Sequence, residues 1–363
     1  ITCVFNLIWS SSVVYEIDDW SQVFSTSLTV LQSRVVAIAT FMSRAAVLYD
    51  IRFNKYRKYR TTLEGFEIYC PTTAAATNRC RLFTMATVSM CLTCMLSTNC
   101  VKLYNLYAKH SDGYFVTTYF LFFYMQNCSI YLMESYFTHQ CFMVYTAFRE
   151  INGDLENVKR DTTDYARFPF LLDPRAWFPS ATPSLSSCTV VYENDFYRPR
   201  DKGNPLANTV EFIKIKHWLI REAVTDLNDL FRIHLAISVV CLSVLMLFDV
   251  FIYFTATIDV TIFRSKFLFI GWLLQYSVRF FVLSITTNIT TKQAIHSKDL
   301  INDINNRFLD TSTKEELQLF YNQVTFRSSE FTAYGLFTLN TRLITSAIAA
   351  GATYLIILLQ LHS

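Results

Sequence analysis

Long apolar runs separated by polar links dominate the chain and predict a bundle of membrane-spanning helices. A helix needs about 20 predominantly apolar residues to cross a bilayer. Three runs meet that requirement without interruption, at 82–101, 115–133 and 343–361. Four others are shorter or contain a charged residue, at 1–15, 24–49, 233–258 and 267–291. We therefore predict an all-α membrane protein with seven transmembrane helices. Because the chain opens with Ile1 and a short run, we expect it to begin partway into the first helix.

Lys and Arg are distributed unevenly between the links, and they concentrate in cytoplasmic loops of membrane proteins. The link at 16–26 has acidic residues and no basic ones, whereas the link at 51–81 holds seven basic residues. The later links continue this alternation. It predicts an inverted topology, with the amino terminus inside and the carboxyl terminus outside. The run "NKYRKYR" is also compatible with a lipid or nucleic-acid patch, but as a topology signal it needs no partner, and we predict no nucleic-acid partner.

Composition indicates a membrane protein, and the absence of catalytic motifs argues against an enzyme. The chain is 52% hydrophobic and 17% charged, whereas soluble domains carry about 25% charged residues. Most of the ten cysteines lie in apolar runs, where thiols act as small hydrophobic groups. The CxxC pair Cys91 and Cys94 has no companion ligands, so we predict no metal site and no cofactor. The sequence also lacks HExxH, nucleophile-elbow and phosphate-loop motifs, so no catalytic residue is predicted.

The long inner segments divide the chain into four regions. Six of the seven prolines lie between 169 and 205, which predicts a cytoplasmic Pro-rich loop over 151–208. Region 1–150 then holds the first four spans, and 209–310 holds spans five and six with helical cytoplasmic extensions. Region 311–363 holds an amphipathic helix, with Ser312 and Glu315 as its capping box, and the last span. The apolar faces of these extensions predict an anchor region, packed either within one chain or between neighbouring subunits.

The last apolar run carries polar residues at a spacing of seven, namely Ser346, Thr353 and Gln360. This spacing places all three on one face of a helix. A polar face inside a membrane must contact protein or water. Two interpretations follow: the face hydrogen-bonds to other helices, or several copies surround a water-filled pore that Ile356 and Ile357 close by dewetting. The residues alone favour packing, because intramembrane hydroxyl groups are common.

The outer halves of spans four to six are aromatic with a few polar groups, the composition of a small-molecule pocket. The candidates are Tyr119, Phe123, Tyr124, Asp249, Tyr253, Phe269, Trp272, Gln275 and Tyr276. Tyr and Trp also concentrate at membrane interfaces, so an aromatic belt is the alternative. Arg279 lies deeper, and we predict that it forms an intramembrane ion pair. We expect Glu134 to reach the inner boundary, where water solvates it.

The ending "TYLIILLQL" at 353–361 resembles the carboxyl-terminal signature of insect gustatory receptors, which is Thr-Tyr, five hydrophobic residues and Gln-Phe. The likeness extends over "GLFTLNTRLITSAIAAGATYLIILLQ", and the segments "DLNDLF" and "FREING" fall where family members carry similar patterns. By this resemblance Thr353 and Tyr354 match the signature pair, and Gln360 occupies the pore glutamine position. Leu361 stands where the signature has its final Phe. A hydrophobic gate at this position would therefore keep an apolar side chain but lack the aromatic ring.

The resemblance implies a tastant-gated, non-selective cation channel in the plasma membrane of a sensory neuron. It also implies a homotetramer or heterotetramer whose last helix lines the pore, in contact with membrane lipid and permeant cations. Trp272 is similar to a tryptophan of fructose receptors, but Phe269 stands where those carry a polar residue. We therefore favour a bitter or other plant small molecule, with a sugar as the alternative. A pore-less seven-helix receptor predicts an outside amino terminus. A transporter predicts an internal repeat, which the sequence lacks.

Overall fold

The computed structural model describes residues 2–17, 23–71, 73–109, 113–167, 205–255, 260–304, 309–327 and 329–362. Nine helices and one short hairpin form within these ranges. The helices are α1 (Thr2–Ile17), α2 (Val23–Arg52), α3 (Lys55–Tyr69), α4 (Ala74–Lys109), α5 (Gly113–Arg167), α6 (Pro205–Thr255), α7 (Val260–Asp303), α8 (Thr311–Phe326) and α9 (Thr341–His362). Strands β1 (Thr332–Ala333) and β2 (Phe337–Thr338) pair antiparallel between α8 and α9. The prediction of an all-α architecture is confirmed.

Five described helical segments are long and apolar enough to cross a membrane. They are Val30–Arg52, Ala74–Tyr104, Leu206–Phe254, Leu268–Asp303 and Thr341–Gln360. Each overlaps one predicted span. The other two predicted spans lie in α1, which has 16 residues, and in α5, which has 55. At 1.5 Å per residue α5 is about 80 Å long, so it extends well beyond the roughly 30 Å hydrocarbon core.

The predicted loop at 151–208 begins later than expected, because α5 stays helical through Arg167. Ile151, Leu155 and Val158 recur at helical spacing and are buried, and the first proline of the cluster comes only at position 169. Residues 168–204 lie outside the described ranges. Pro205 then opens α6, at a position where its missing N–H is not required for helical bonding. From there α6 runs without a break into the fifth predicted span, as the sequence predicted.

One hydrophobic core joins the extensions of α5, α6, α7 and α8. Phe148, Ile213, Ile220 and Phe320 are fully buried within it. Leu317 and Phe320 place the apolar face of α8 against this core inside one chain. Intrachain packing therefore accounts for the inward face of α8. Leu319 and Phe326, on the same helix, remain exposed.

The basic run "NKYRKYR" lies at the start of α3 and is partly used within the chain. Lys58 Nζ lies 2.5 Å from Asp226 Oδ1 of α6, and Lys55 Nζ lies 2.6 Å from Asp50 Oδ1. The hydrogen bond with Asp226 raises the pKa of Lys58 above its ordinary value. These ion pairs dock α3 against α2 and α6, so the basic residues have a structural role in addition to signalling topology.

The N-cap of helix α8 lies two residues before the predicted one. Asp310 is the N-cap, and its carboxylate accepts a hydrogen bond from Thr313 N at 3.0 Å. The Thr313 hydroxyl donates to the other Asp310 oxygen at 2.6 Å. The prediction of Ser312 as the N-cap is therefore wrong. A carboxylate at the N-cap satisfies a free backbone N–H and also interacts favourably with the helix dipole, an advantage that Ser lacks.

We expect Asp310→Ala to weaken α8 locally by about 1 kcal/mol, because it removes the cap. Amide hydrogen exchange in the first turn of α8 should accelerate about fivefold. Ser312→Ala is the matched control and should leave exchange nearly unchanged. A faster exchange in Ser312→Ala than in Asp310→Ala would contradict the observed cap.

Candidate ligand site and outward face of the last helix

One of the predicted pocket residues carries a buried carboxylate. Asp249 of α6 is only 2% exposed. Gln32 Nε2 of α2 donates to Asp249 Oδ1 at 3.0 Å. The second oxygen, Oδ2, is buried and has no hydrogen-bond partner among the residues that the structure describes. Because a carboxylate removed from water needs hydrogen-bond donors or a cation, this oxygen marks a place where a further polar group would be stabilised.

Helices α5 and α7 contribute further buried polar groups from the predicted pocket. Tyr276 of α7 lies within electrostatic range of both Asp249 and Tyr124. The Tyr124 hydroxyl and the Gln275 amide are also buried, and within the described ranges they have no hydrogen-bond partner. An unsatisfied buried polar group costs about 1–3 kcal/mol. Three residues of the predicted pocket, Asp249, Tyr124 and Gln275, carry such a group. Together these groups favour binding of water or of a polar ligand atom.

Aromatic rings form the walls of this region. On α5 the ring centroids of Phe123 and Tyr124 lie 5.6 Å apart, and on α7 those of Phe269 and Trp272 also lie 5.6 Å apart. Tyr119 is fully buried. Seven of the nine candidates thus lie in paired or buried positions on α5 and α7, and Asp249 is contributed by α6. We name the buried polar residues Tyr124, Asp249, Gln275 and Tyr276 the outer polar cluster.

The polar tips of two aromatic candidates are already engaged by other helices. The Tyr119 hydroxyl hydrogen-bonds to Ser33 of α2, and Trp272 Nε1 donates to Asn99 Oδ1 of α4 at 3.1 Å. The sequence reasoning did not identify Gln32, Ser33 or Asn99. The only feature of the sequence that marks these three residues is that each is polar within an apolar run. Tyr253 differs from the other candidates, because it is 37% exposed.

Arg279 forms the predicted ion pair, and its partner is Glu134. Arg279 Nε and Nη2 donate to the two Glu134 oxygens at 2.8 and 2.9 Å. Nη1 donates to Asn127 Oδ1 at 2.7 Å, and the Ser238 hydroxyl donates to Glu134. The expectation that water solvates Glu134 is therefore wrong, since this residue is buried. The bidentate pair instead ties α5 to α7.

The last helix has one face against the bundle and one face outward. Leu355, Leu358 and Leu359 pack against Phe251 and Ile252 of α6. The predicted pore residues lie on the opposite side and are exposed in the single chain. They are Ser346, Thr353, Ile356, Ile357 and Gln360, with Tyr354 of the signature also exposed. The side chain of Leu361 lies outside the described side chains.

The polar face of α9 is consequently exposed rather than buried against the described helices of its own chain. Thr353 Oγ1 donates to Ala349 O of the same helix at 3.0 Å. This observation speaks against packing within one chain as the explanation of the seven-residue repeat. The remaining explanations are that this face of α9 contacts another subunit or contacts water.

Two of the helices that carry the outer polar cluster, α6 and α7, also contact α9. Phe251 and Ile252 follow Asp249 by less than one helical turn on α6, and Phe269 of α7 packs against the same pair. Phe251 and Ile252 thus pack against both Phe269 and the leucine face of α9, and we name this group of side chains the coupling contact. A shift of α6 or α7 would therefore be transmitted directly to α9.

A multi-pass helical bundle with a buried polar cluster and an outward polar helix has the architecture of a transmembrane receptor. The model of the 7tm chemosensory receptor family matches residues 48–363. The chain belongs to this family, which confirms the family that the carboxyl-terminal signature indicated. No curated protein matches the chain by sequence.

Two solved structures have a similar fold. The insect olfactory receptor OR5 from Machilis hrabei matches with a TM-score of 0.65 at 11% identity, covering 99% of this chain and 87% of that chain. The same receptor in complex with eugenol matches with a TM-score of 0.65 at 12% identity, covering 99% of this chain and 88% of that chain. At this identity the likeness establishes the seven-helix receptor fold.

Proposed function

We propose that this chain is a subunit of a tastant-gated, weakly selective cation channel in the plasma membrane of a sensory neuron. The observation that carries the proposal is the outward polar face of α9. A helix with Ser346, Thr353 and Gln360 exposed on one side is unstable in lipid unless that side meets protein or water. Neutral hydroxyl and amide rings would conduct cations with little discrimination.

A pore requires several copies of α9 around one axis. Four subunits, identical or related, would place the polar stripe of each copy toward a common channel. The leucine face of every copy would stay against its own α6 and α7. The exposed aliphatic side chains of Ile356 and Ile357 would then narrow the closed channel and exclude water.

We place the ligand at the outer polar cluster. Its buried polar atoms without partners supply anchoring points, and the aromatic rings of α5 and α7 supply apolar contact area. A ligand opens the channel only by binding the open arrangement more tightly than the closed one. The coupling contact supports this route, because it lies between Asp249 and the leucine face of α9.

For the ligand class we propose a bitter or other plant small molecule. The indole N–H of Trp272 is already bonded to Asn99, so it is not available to a sugar hydroxyl. A sugar needs many hydrogen bonds to replace its water. The related olfactory receptor OR5 has a structure in complex with eugenol, which supports a small aromatic ligand over a sugar. A fructose-gated channel is the second candidate, on the similarity around Trp272.

Current recording from cells that express this chain tests the proposal. We expect agonist-evoked cation current with members of a panel of bitter compounds and sugars, and an altered current in Gln360→Ala. Tags on each terminus, stained in unpermeabilised cells, test the orientation. An extracellular amino-terminal tag would contradict the channel and favour a pore-less receptor.

A further inference from the structure

A cavity lies at the other end of the bundle from the outer polar cluster. Its volume is about 340 Å³. It is enclosed by α3, the first turns of α4 and the middle of α5, with Ile220 of α6 behind them. Apolar side chains dominate its lining, including Phe66, Met85 and Met143. None of its lining residues belongs to the outer polar cluster, so the cavity is a separate site.

This cavity lies at a membrane boundary. Arg81 lines it and directly precedes the apolar run 82–101, so the cavity begins where α4 enters the hydrocarbon. Met85 also lines it and is 60% exposed on the surface of that span. By the charge distribution of the links, this boundary is the cytoplasmic one. The cavity is therefore accessible to a molecule of the inner leaflet.

The polar groups inside the cavity satisfy each other. Thr84 Oγ1 and His139 Nδ1 are hydrogen-bonded at 2.7 Å, and Cys80 Sγ lies 3.7 Å from Thr146 Oγ1. The interior consequently needs no polar partner. An acyl chain is the type of group that such a lining accommodates.

Charged side chains at the cavity have no ion-pair partner among the described residues. Arg81, Glu67 and Glu150 all line it. None of them takes part in the ion pairs formed within the described ranges. The cavity thus combines an apolar interior with one guanidinium and two carboxylates. This set complements a headgroup that carries both a phosphate and an ammonium.

We propose that the cavity binds the headgroup and one acyl chain of phosphatidylethanolamine. Arg81 would bind the phosphate as a charge-assisted hydrogen-bond donor. Glu67 and Glu150 would accept hydrogen bonds from the ethanolamine ammonium. Phosphatidylcholine carries the same charges, but its quaternary ammonium has no N–H to donate. An anionic headgroup without the amine would meet two carboxylates and is disfavoured.

The test uses the full-length protein in phosphatidylcholine vesicles that contain a photoactivatable phosphatidylethanolamine as tracer. After irradiation, mass spectrometry locates the crosslinks. We expect labelling on the cavity segments of α4 and α5. Added unlabelled phosphatidylethanolamine should compete for labelling, whereas phosphatidylglycerol should compete about tenfold less well.

Matched variants separate this site from general lipid contact. Arg81→Gln and Glu150→Gln should each lower labelling of the cavity segments about fivefold to tenfold. Arg79→Gln removes the same charge two residues away, at a residue that does not line the cavity, and should keep wild-type labelling. Equal competition by phosphatidylglycerol, or equal loss in Arg79→Gln and Arg81→Gln, would overturn the proposal.

Discussion

Replacing Arg279 with leucine is expected to destabilise the folded chain by about 3–5 kcal/mol, because it leaves Glu134 as an uncompensated buried charge. In the native chain Glu134 receives both Arg279 donors at 2.8 and 2.9 Å and a further hydrogen bond from Ser238. Removing one partner of such a pair forfeits the attraction while the desolvation cost of the other persists. We expect Arg279→Leu to lower strongly the yield of monodisperse protein and its thermal midpoint in detergent.

The double variant Arg279→Leu with Glu134→Leu provides the decisive control for this ion pair. It removes both charges at once and should recover much of the lost stability, because replacing a whole buried pair with apolar residues is often nearly neutral. Arg342→Leu, at an exposed position on α9, should change the midpoint little. A double variant less stable than either single variant would contradict the pairing.

Asp249→Asn is expected to reduce agonist potency about tenfold or more while expression is preserved. Asparagine keeps the size of the side chain and an acceptor for Gln32, but it removes the charge from the oxygen that has no partner. A ligand group bonded to that oxygen would lose a charge-assisted hydrogen bond, which is worth about 1.5–3 kcal/mol. The measurement is the concentration of agonist that gives half-maximal current.

Tyr253→Phe is the matched control for Asp249→Asn. Tyr253 was predicted in the same pocket, but its side chain is exposed. Removing its hydroxyl should leave potency within about twofold of wild type, because a surface change has only a small effect on binding. A larger loss in Tyr253→Phe than in Asp249→Asn would place the ligand outside the outer polar cluster.

Local periodicity predicted the parts of this fold that depend on one helix. The seven-residue repeat of Ser346, Thr353 and Gln360 required only the helical period, and the structure places all three on one exposed face. The amphipathic start of α6 followed from spacing in the same way. These predictions succeeded because neighbouring positions on one helix determine them.

Contacts between distant helices could not be read from the sequence. Gln32 and Asp249 are 217 positions apart, and no local pattern selects one as the partner of the other. Glu134 was assigned to the membrane boundary because a span of ordinary length was assumed. Helix α5 is 55 residues long, so the position of a residue along it does not indicate how deep that residue lies in the membrane. Only the packing of α7 against α5 shows that Glu134 contacts Arg279. The predicted N-cap of α8, Ser312, lies two residues after the observed one, Asp310. Both residue types commonly cap helices, so the sequence alone does not select between them.

The exposure of Thr353 to a conducting pore tests the central claim most directly. In cells that express Thr353→Cys, a membrane-impermeant, positively charged thiol reagent is applied outside during agonist-evoked current. The account predicts a progressive loss of current in Thr353→Cys. It predicts no such loss in wild type or in Leu358→Cys, whose side chain lies on the face that packs against α6. An unaffected current in Thr353→Cys, or an equal loss in Leu358→Cys, would contradict a pore lined by the polar face of α9.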